Sequence, residues 1–402
     1  MNNMYKRFNT TGLCLPEKHY MADISPHLHK IINYVEEGAY FSINCARQYG
    51  KTTTLNILAH QLENDFLVVS LDFQALGNAS YQNENIFSLT FAEYFLRELQ
   101  MQSLPSTVIE QLNLLKTAIQ DRDSMFVLFH LFGHITSICQ AVSRPLVLII
   151  DEIDSASNNQ VFLDFLAQLR YYYLQREKRN TPAFYSVILA GVHDVRRLKL
   201  KIRSENDHKY NSPWNIAADI EIDLSLTFDG IRRMLSDYEH DHNTGMDIQN
   251  ITRLIYDYTS GYPFLVSRIC KLVDEDISIS TGFCGKAAAW TKEGILSAVR
   301  KLISERNTLF ESLTEKLDSY PELERILYTL LFIGKPLPYN TDTEAITLAS
   351  MFGFIKNKDE NIAITNRIFE TRLYNRFLSQ DIYTQLSTEA EKDDWRTRSG
   401  DR

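Results

Sequence analysis

The sequence predicts an α/β domain built on a parallel sheet, followed by a helical lid and a C-terminal winged-helix domain. Three observations support this fold class. Strand-like apolar runs alternate with amphipathic helical runs up to residue 226, and helical periodicity alone continues over residues 227–317. Residues 318–385 then show helices followed by a two-stranded hairpin. The predicted domains are therefore 1–226, 227–317 and 318–385, and the charged segment 386–402 is expected to be a disordered tail.

Four apolar segments define the predicted sheet. They cover residues 40–44, 66–71, 146–150 and 184–190, and residues 220–226 are expected to add a fifth strand. The uninterrupted Leu-Val-Leu-Ile-Ile of residues 146–150 is typical of a parallel strand buried on both faces. Residues 75–143 contain only helical patterns and predict a helical layer. Ligands of such sheets bind at the carboxyl ends of the strands, so the residues that follow each strand are the first candidates for a site.

Composition excludes several classes of protein. A chain of 402 residues with 44% hydrophobic and 23% charged residues is ordinary for a globular protein of two or three domains. Its net charge of −9 does not favour general nucleic-acid binding. Five scattered cysteines predict neither a disulfide framework nor a zinc site, and no stretch approaches the roughly 20 apolar residues of a membrane span. We therefore expect a cytoplasmic protein without a membrane partner.

The first candidate site follows the strand at residues 40–44. The run Cys45-Ala46-Arg47-Gln48-Tyr49-Gly50-Lys51-Thr52-Thr53 ends in the Gly-Lys-Thr of a phosphate-binding loop. In such a loop, backbone N–H groups and the lysine hold the β- and γ-phosphates, and the hydroxyl reaches Mg²⁺. The predicted nucleotide-binding residues are Arg47, Gln48, Tyr49, Gly50, Lys51, Thr52 and Thr53. Lys51 is also a catalytic candidate, and Thr52 is a magnesium ligand. Cys45 replaces the first glycine of the motif, and the alternative is an ordinary strand-to-helix turn.

The second candidate site follows the apolar strand at residues 146–150. Asp151 and Glu152 come directly after it, which is an uncommon pattern for carboxylates that merely end a strand. We predict that Asp151 holds the magnesium shell and that Glu152 orients the attacking water as a general base. Asp154 is expected to cap the following helix. With the first site, this pair indicates binding and hydrolysis of a nucleoside triphosphate.

A third group of candidates follows the strand at residues 184–190. His193 is placed to sense the γ-phosphate, although a histidine hydrogen-bonded within a turn is an equal alternative. Arg196, Arg197 and Arg203 come next. An arginine finger that reaches the nucleotide of a neighbouring subunit is one interpretation of them, and a solvated helix face is the other.

With these motifs, the chain resembles prokaryotic AAA-like ATPases of the group that joins archaeal-type and signal-transducing (STAND) ATPases. The resemblance rests on residues 47–53, 148–154 and 188–194 and on Ser260-Gly261-Tyr262-Pro263, and it spans most of residues 5–380. It implies a P-loop NTPase sheet of the AAA/ORC type, with ATP or ADP and Mg²⁺ as cofactors. It also implies that Pro263 contacts the base, that His19, Tyr20 and Met21 are adenine-side candidates, and that Arg268 is a candidate sensor.

The sequence thus predicts an ATPase that acts as a switch, with its nucleotide state setting the positions of the lid and the winged helix to control a protein partner. Two alternatives stay open: a nucleotide-bound scaffold that does not hydrolyse ATP, and a DNA-acting ATPase of replication, transposition or defence. The predicted recognition helix at residues 343–352 contains no Lys or Arg, which disfavours DNA. Nearby basic residues keep that alternative open: Lys356, Lys358, Arg367, Arg372 and Arg376. A monomer and a nucleotide-dependent oligomer are both compatible with the sequence.

Overall fold

The structure is a computed structural model that describes residues 6–121, 125–192, 214, 218, 222–334 and 336–380. The chain divides into two compact units. The first, called here the sheet unit, comprises residues 24–46 and 50–224. The second, called the helical unit, comprises residues 1–23, 47–49 and 225–402. The predicted domain boundaries near residues 226 and 317 stay predictions.

The sheet unit contains four parallel strands: β1 (Tyr40–Asn44), β2 (Leu67–Asp72), β3 (Leu146–Asp151) and β4 (Ser186–Gly191). Their order in the sheet is β1-β4-β3-β2, and all four strands were predicted from the sequence. Every residue of β3 is buried, as its apolar run indicated. Asp72 pairs in register with Asp151, and Asn44 pairs with Gly191. The carboxyl ends of the strands therefore lie level with one another, so the segments that follow them leave the same edge of the sheet.

Among the described residues of the sheet unit, six helices accompany this sheet and supply most of the core. They are Ser25–Glu36, Lys51–Leu62, Glu84–Gln100, Ser106–Gln120, Leu128–Ala141 and Gln160–Arg179. Three of them confirm the helical layer predicted for residues 75–143. Phe87, Phe91 and Phe95 recur every four residues on one helix face, and they are buried with Phe162 and Phe165 of another helix.

The fifth predicted strand is wrong for the part of residues 220–226 that the structure describes. Residues 222–226 have no regular structure. The amide of Leu226 donates to the carbonyl of Gly261 at 2.8 Å, so this backbone is satisfied within the helical unit and has no need of a sheet partner. At the edge of β1, the carbonyl of Tyr40 accepts one hydrogen bond, from the amide of Ala218 at 2.9 Å.

The helical unit contains the elements predicted beyond residue 227. Its helices are Phe228–His242, Ile248–Thr259, Pro263–Glu275, Lys286–Ala289, Lys292–Ser304, Thr308–Ser319, Pro321–Tyr328, Glu344–Met351 and residues 367–380. The helix Ile248–Thr259 ends before Gly261, because Ser260 and Gly261 have φ of 48° and 76°, and the next helix begins at Pro263. A Cβ at Gly261 would meet the carbonyl of Leu226, so glycine is required there for space as well as for its φ.

A two-stranded antiparallel hairpin follows the helix Glu344–Met351. Strands β5 (Ile355–Lys358) and β6 (Asn361–Ile364) form the predicted hairpin and pair up to Lys358 and Asn361. Asp359 and Glu360 alone form the turn, both with positive φ, as two-residue hairpin turns require. The assignment of this segment to the winged-helix fold stays a prediction. Within the described residues, none of the helices is both long and apolar enough to cross a membrane.

Candidate functional site

The phosphate-binding motif connects β1 to the helix Lys51–Leu62, as predicted. Gly50 precedes the helix with φ of 80°, a left-handed conformation that favours glycine. The Thr54 amide and hydroxyl both donate to the Gly50 carbonyl, at 2.9 and 3.0 Å. The N–H groups of the first turn of a helix point away from the helix toward the preceding loop, and here that turn begins at Lys51. A helix start of this kind attracts an anion through these N–H groups and through its dipole.

Lys51 is folded back on the loop that precedes it. Its ammonium donates to the carbonyl of Cys45 at 3.0 Å, and the residue is only 6% exposed. The Asp151 and Glu152 carboxyls are close enough to interact with this charge electrostatically, while the printed hydrogen bond goes to a neutral carbonyl, and a phosphate oxygen is a stronger acceptor than a carbonyl. The lysine is therefore positioned to exchange that carbonyl for an anion.

Cys45, which replaces the usual first glycine, takes part in the same turn. Its amide donates to the carbonyl of Gly191 at 3.2 Å and so continues the pairing of β1 with β4. Burial raises the pKa of its thiol to about 12, so the sulfur stays protonated and unreactive at neutral pH. The substitution therefore leaves the strand pairing intact and adds no thiolate chemistry to the site.

The hydroxyl of Thr52 and the carboxylate of Asp151 meet at the carboxyl edge of the sheet. The Thr52 Oγ1 donates to Asp151 Oδ2 at 2.8 Å, although the two residues lie 99 positions apart in the chain. The other carboxylate oxygen, Asp151 Oδ1, accepts the amide of Glu152 at 2.9 Å. Burial raises the pKa of Asp151, and these two hydrogen bonds and the Lys51 charge oppose that rise. The tertiary structure thus joins the two predicted magnesium ligands directly.

Glu152 occupies a strained turn immediately after β3. Its φ is 54°, a conformation that costs a non-glycine residue about 1 kcal/mol or more and tends to occur at functional sites. Burial raises the pKa of its carboxyl, whereas the Lys51 ammonium lowers it. A carboxylate whose pKa is raised towards neutrality is a better proton acceptor than a fully solvated one. The predicted base therefore has the environment that this role requires.

Asp154 does not cap a helix, and that prediction is wrong. Its Oδ2 accepts the amide of Val192 at 2.6 Å, which links the turn after β3 to the end of β4. The helix Gln160–Arg179 has Asn159 at its N-cap and no side-chain cap at all. The Asp154 carboxylate binds this amide because Val192 lies just beyond the end of β4, where its N–H needs an acceptor other than a neighbouring strand.

An open cavity of about 710 Å³ borders Thr52 and Asp151 on the β2 side of the sheet unit. Its lining includes Asp72 at the end of β2, together with Tyr94 and Glu98 from the helix Glu84–Gln100. The hydroxyl of Tyr94 accepts a hydrogen bond from the backbone amide of Asp72 at 3.0 Å. Space for a bound ligand therefore exists next to the two predicted magnesium ligands.

Residues 47–49 of the motif are bonded within the helical unit. The Tyr262 hydroxyl donates to the carbonyl of Arg47 at 2.6 Å, and the Gln48 amide group donates to the Thr308 hydroxyl at 2.8 Å. The ring of Tyr49 lies 4.4 Å from the ring of Tyr262, edge to face. Sequence reasoning missed Tyr262 and Thr308. The only signal for the first was its place between the Gly and Pro that were singled out, and Thr308 gave none.

The adenine-side candidates lie in a packed aromatic cluster of the helical unit. Tyr20 is 3% exposed, its ring lies 5.1 Å from Phe8 and 5.2 Å from Tyr238, and its hydroxyl donates to Asp241 at 2.8 Å. His19 Nδ1 accepts the amide of Leu15 at 2.9 Å. These contacts account for both side chains as packing residues, and an adenine contact stays a prediction for them and for Met21.

Pro263 begins its helix at the first position, as predicted, because its missing N–H and fixed φ suit that place. Arg268, the candidate sensor, is paired on two nitrogens with the carboxylate of Glu305. We therefore do not carry it forward as a nucleotide contact. The candidates His193, Arg196, Arg197 and Arg203, and the predicted tail of residues 386–402, lie outside the described residues.

A model of the family of AAA-like domains matches residues 18–380 of the chain. An uncharacterised WD repeat-containing protein of Synechocystis is 26% identical over 279 residues, which is 66% of this chain and 20% of that protein. The chain thus spans about a fifth of the length of this curated relative.

Two solved structures are similar to the chain over nearly all of its length. The Walker-type ATPase of Pyrococcus abyssi superposes with a TM-score of 0.60 at 14% identity, covering 91% of this chain and 99% of that one. The ORC2 protein of Aeropyrum pernix, in its ADPNP-ADP complexes, gives a TM-score of 0.47 at 11% identity, covering 94% and 98%. The first likeness shows a shared fold.

Proposed function

Because the chain belongs to the family of AAA-like domains and has the fold of P-loop ATPases, we propose that it binds ATP with Mg²⁺, hydrolyses it and acts as a switch. The observation that carries this proposal is the hydrogen bond between Thr52 and Asp151 at 2.8 Å. It joins a hydroxyl at the start of the loop helix to a carboxylate at the end of β3. These are the two protein groups that a phosphate-bound magnesium ion needs.

The residues present fit this nucleotide and this metal. Mg²⁺ prefers hard oxygen ligands, which the Thr52 hydroxyl and the Asp151 carboxylate supply. Lys51 offers a buried ammonium, and the start of its helix suits phosphate oxygens because backbone N–H groups and the positive end of the helix dipole face them there. The raised pKa of Asp151 indicates a carboxylate that gains from a cation beside it, since its charge is poorly solvated in the absence of one.

Each side chain has a distinct part in the proposed reaction. Lys51 holds phosphate oxygens and compensates their charge, while Thr52 and Asp151 hold the metal, which when bound neutralises the charge that develops on the phosphates. Glu152 orients a water molecule and accepts its proton. Arg47, Gln48, Tyr49, Gly50 and Thr53 shape the loop around the phosphates, and Pro263 contacts the base. His193 is retained as the proposed γ-phosphate sensor on its sequence position alone.

We further propose that the nucleotide state sets the position of the helical lid and the winged helix and so controls a protein partner. What supports this is that residues 47–49 of the loop belong to the helical unit and are hydrogen-bonded there to Tyr262 and Thr308. A change in these loop residues on nucleotide binding would therefore be passed to the helical unit.

The test combines nucleotide binding with phosphate release. Lys51→Ala should abolish Mg²⁺-dependent binding of a fluorescent ATP analogue. Glu152→Gln should keep that binding and lower turnover by roughly a hundredfold or more, the size of a general-base contribution. Glu63→Gln is the matched control, because this exposed carboxylate follows the loop helix and, within the described part of the chain, pairs with the exposed His60.

Unchanged affinity in Lys51→Ala contradicts the loop assignment. Unchanged turnover in Glu152→Gln contradicts the role of this residue as the base. Wild-type protein that binds ATP and releases no phosphate supports the nucleotide-bound scaffold over the ATPase.

A further inference from the structure

Three hydrogen-bonding and ring contacts of the helical unit converge on residues 47–49. Tyr262 donates to the Arg47 carbonyl, Thr308 accepts from the Gln48 side chain, and the rings of Tyr49 and Tyr262 pack edge to face. Three consecutive residues of one loop are thus each held by a separate contact.

The Tyr262 hydroxyl fixes the orientation of one peptide group. In a trans peptide, the carbonyl of one residue and the N–H of the next point in opposite directions. A hydrogen bond of 2.6 Å from Tyr262 to the Arg47 carbonyl therefore turns the N–H of Gln48 away from the tyrosine. The direction of a backbone N–H is what a phosphate-binding loop has to control, since these groups bind the phosphate oxygens.

Gln48 itself is held in a strained conformation. Its φ is 58°, in the left-handed region, which costs a residue with a side chain of order 1 kcal/mol or more. Such a conformation persists only where the surroundings impose it. The bond before it, from Tyr262 to the Arg47 carbonyl, and the bond of its own side chain to Thr308 are those surroundings.

The contact at Thr308 is incompletely satisfied. Among the residues that the structure describes, the buried Gln48 Oε1 finds no hydrogen-bond partner, and neither does the Nδ2 of Asn307, the residue before Thr308. A buried polar atom without a partner carries a desolvation cost. The Gln48 contact is therefore less favourable than a fully bonded one and is easier to rearrange than the Tyr262 contact.

Tyr262 is firmly supported from the opposite side. The residue is 1% exposed, and its ring lies 5.3 Å from that of Phe369 on the last described helix. Phe369 in turn lies 6.4 Å from Phe310, whose ring is covered by the Arg372 guanidinium at 3.9 Å. The position of the Tyr262 hydroxyl is consequently fixed by the C-terminal part of the helical unit.

We propose that Tyr262 is a positioning residue for the phosphate-binding loop, acting with Thr308 to hold Gln48 in its left-handed conformation. The helical unit then sets the affinity for nucleotide through the loop. This inference rests on the proposed function, because the affinity that Tyr262 would control is the affinity of the proposed site for ATP. It assigns the tyrosine between Gly261 and Pro263 a role that does not require contact with the nucleotide.

The experiment measures ATP affinity, KM and kcat for Tyr262→Phe, which removes the hydroxyl and keeps the ring. We expect Kd and KM for ATP to rise about 3- to 10-fold, the equivalent of one hydrogen bond, with kcat unchanged within twofold. Thr308→Val, which keeps the shape of the side chain, should raise Kd by a smaller factor. Tyr256→Phe, on the preceding helix and partly exposed, is the matched control and should leave all three values unchanged.

A double-mutant cycle separates loop positioning from a general loosening of the helical unit. Glycine adopts positive φ without the cost that Gln48 bears, so Gln48→Gly makes the imposed conformation unnecessary. If Tyr262 acts by imposing that conformation, the loss of affinity from Tyr262→Phe is smaller in the Gln48→Gly background than in the wild type. An equal loss in both backgrounds overturns the proposal.

The failures of the two proposals are distinguishable. Wild-type protein that binds no ATP contradicts the proposed function and the positioning role with it. Wild-type protein that binds ATP, with Tyr262→Phe and Tyr256→Phe both equal to it, contradicts the positioning role alone.

Discussion

Gly191→Ala tests the close contact between the ends of β3 and β4. A Cβ at Gly191 would lie 2.7 Å from Ile153 Cγ1 and 3.1 Å from Asp154 Oδ2. Both distances are too short for the present structure, and the neighbours belong to the turn that follows Asp151 and Glu152. The added methyl group must therefore push this turn away from the sheet.

The expected cost has two parts. Inserting a methyl group into a packed position costs about 1–3 kcal/mol. Displacing Asp154 also weakens its hydrogen bond to the Val192 amide, and a bond to a charged acceptor contributes about 1.5–3 kcal/mol. Part of the second cost is recovered if water replaces the carboxylate, so a total of about 2–4 kcal/mol is reasonable. For a domain of roughly 150–250 residues this corresponds to a fall in Tm of about 5–15 °C.

Thermal unfolding of the protein without nucleotide, followed by circular dichroism, measures the effect. Gly77→Ala is the control, since a Cβ there meets nothing within 4 Å and the φ of Gly77 is −74°. Phosphate release by Gly191→Ala should fall as well, because the displaced turn carries Glu152. A melting temperature within one degree of the control would refute the contact and the argument built on it.

Three further predictions concern the carboxylates of the site and the candidate recognition helix. Asp151→Asn should raise the melting temperature of the nucleotide-free protein at pH 7, because burial raises the pKa of Asp151 and its charged form is therefore unfavourable above that pKa. This gain in melting temperature should shrink as the pH falls through the pKa, and Mg²⁺-dependent ATP binding should be lost. A lower melting temperature at pH 7 contradicts the prediction. Turnover at saturating ATP should decline at acid pH with a midpoint above pH 4.5, where 4.5 is the ordinary pKa of a glutamate, because the pKa of Glu152 is raised and only its ionised form accepts a proton. The residual activity of Glu152→Gln should lack this acid decline. The same acid decline in that variant would assign it to another group. The helix Glu344–Met351 should not bind DNA, since it has no basic residue, and tight binding of duplex DNA that weakens steeply with salt would contradict this.

The sequence predicted the strands well because each is a short apolar run ended by polar residues. Strands β3 and β4 are buried on both faces, so their sequences are apolar throughout and do not alternate between apolar and polar residues. An uninterrupted apolar run was therefore enough to predict them. The fifth strand failed for the same reason. Residues 222–226 contain apolar side chains that are buried, yet the backbone of Leu226 is bonded to Gly261 and not to a strand. The hydrophobicity of a short segment predicts that its side chains are buried. It does not predict which part of the chain accepts the hydrogen bonds of its backbone.

The candidate site divides in a similar way. The identities of Lys51, Thr52, Asp151 and Glu152 followed from two short motifs, since phosphate and magnesium chemistry requires these residue types after strands. Their environments did not follow. Whether Asp154 caps a helix or binds the amide of Val192 depends on the order of strands in the sheet, which places β4 beside β3.

By itself, then, the sequence determined the α/β class, the phosphate-binding loop and the acidic pair after β3, because each of these is encoded within about ten consecutive residues. Only the tertiary structure decided which distant groups act on them. The 99 positions between Thr52 and Asp151, and the 215 between Arg47 and Tyr262, are bridged by single hydrogen bonds that no local pattern records. The physical reason is that periodicity expresses which side chains avoid water, whereas a hydrogen bond between remote residues is fixed by the packing of whole elements.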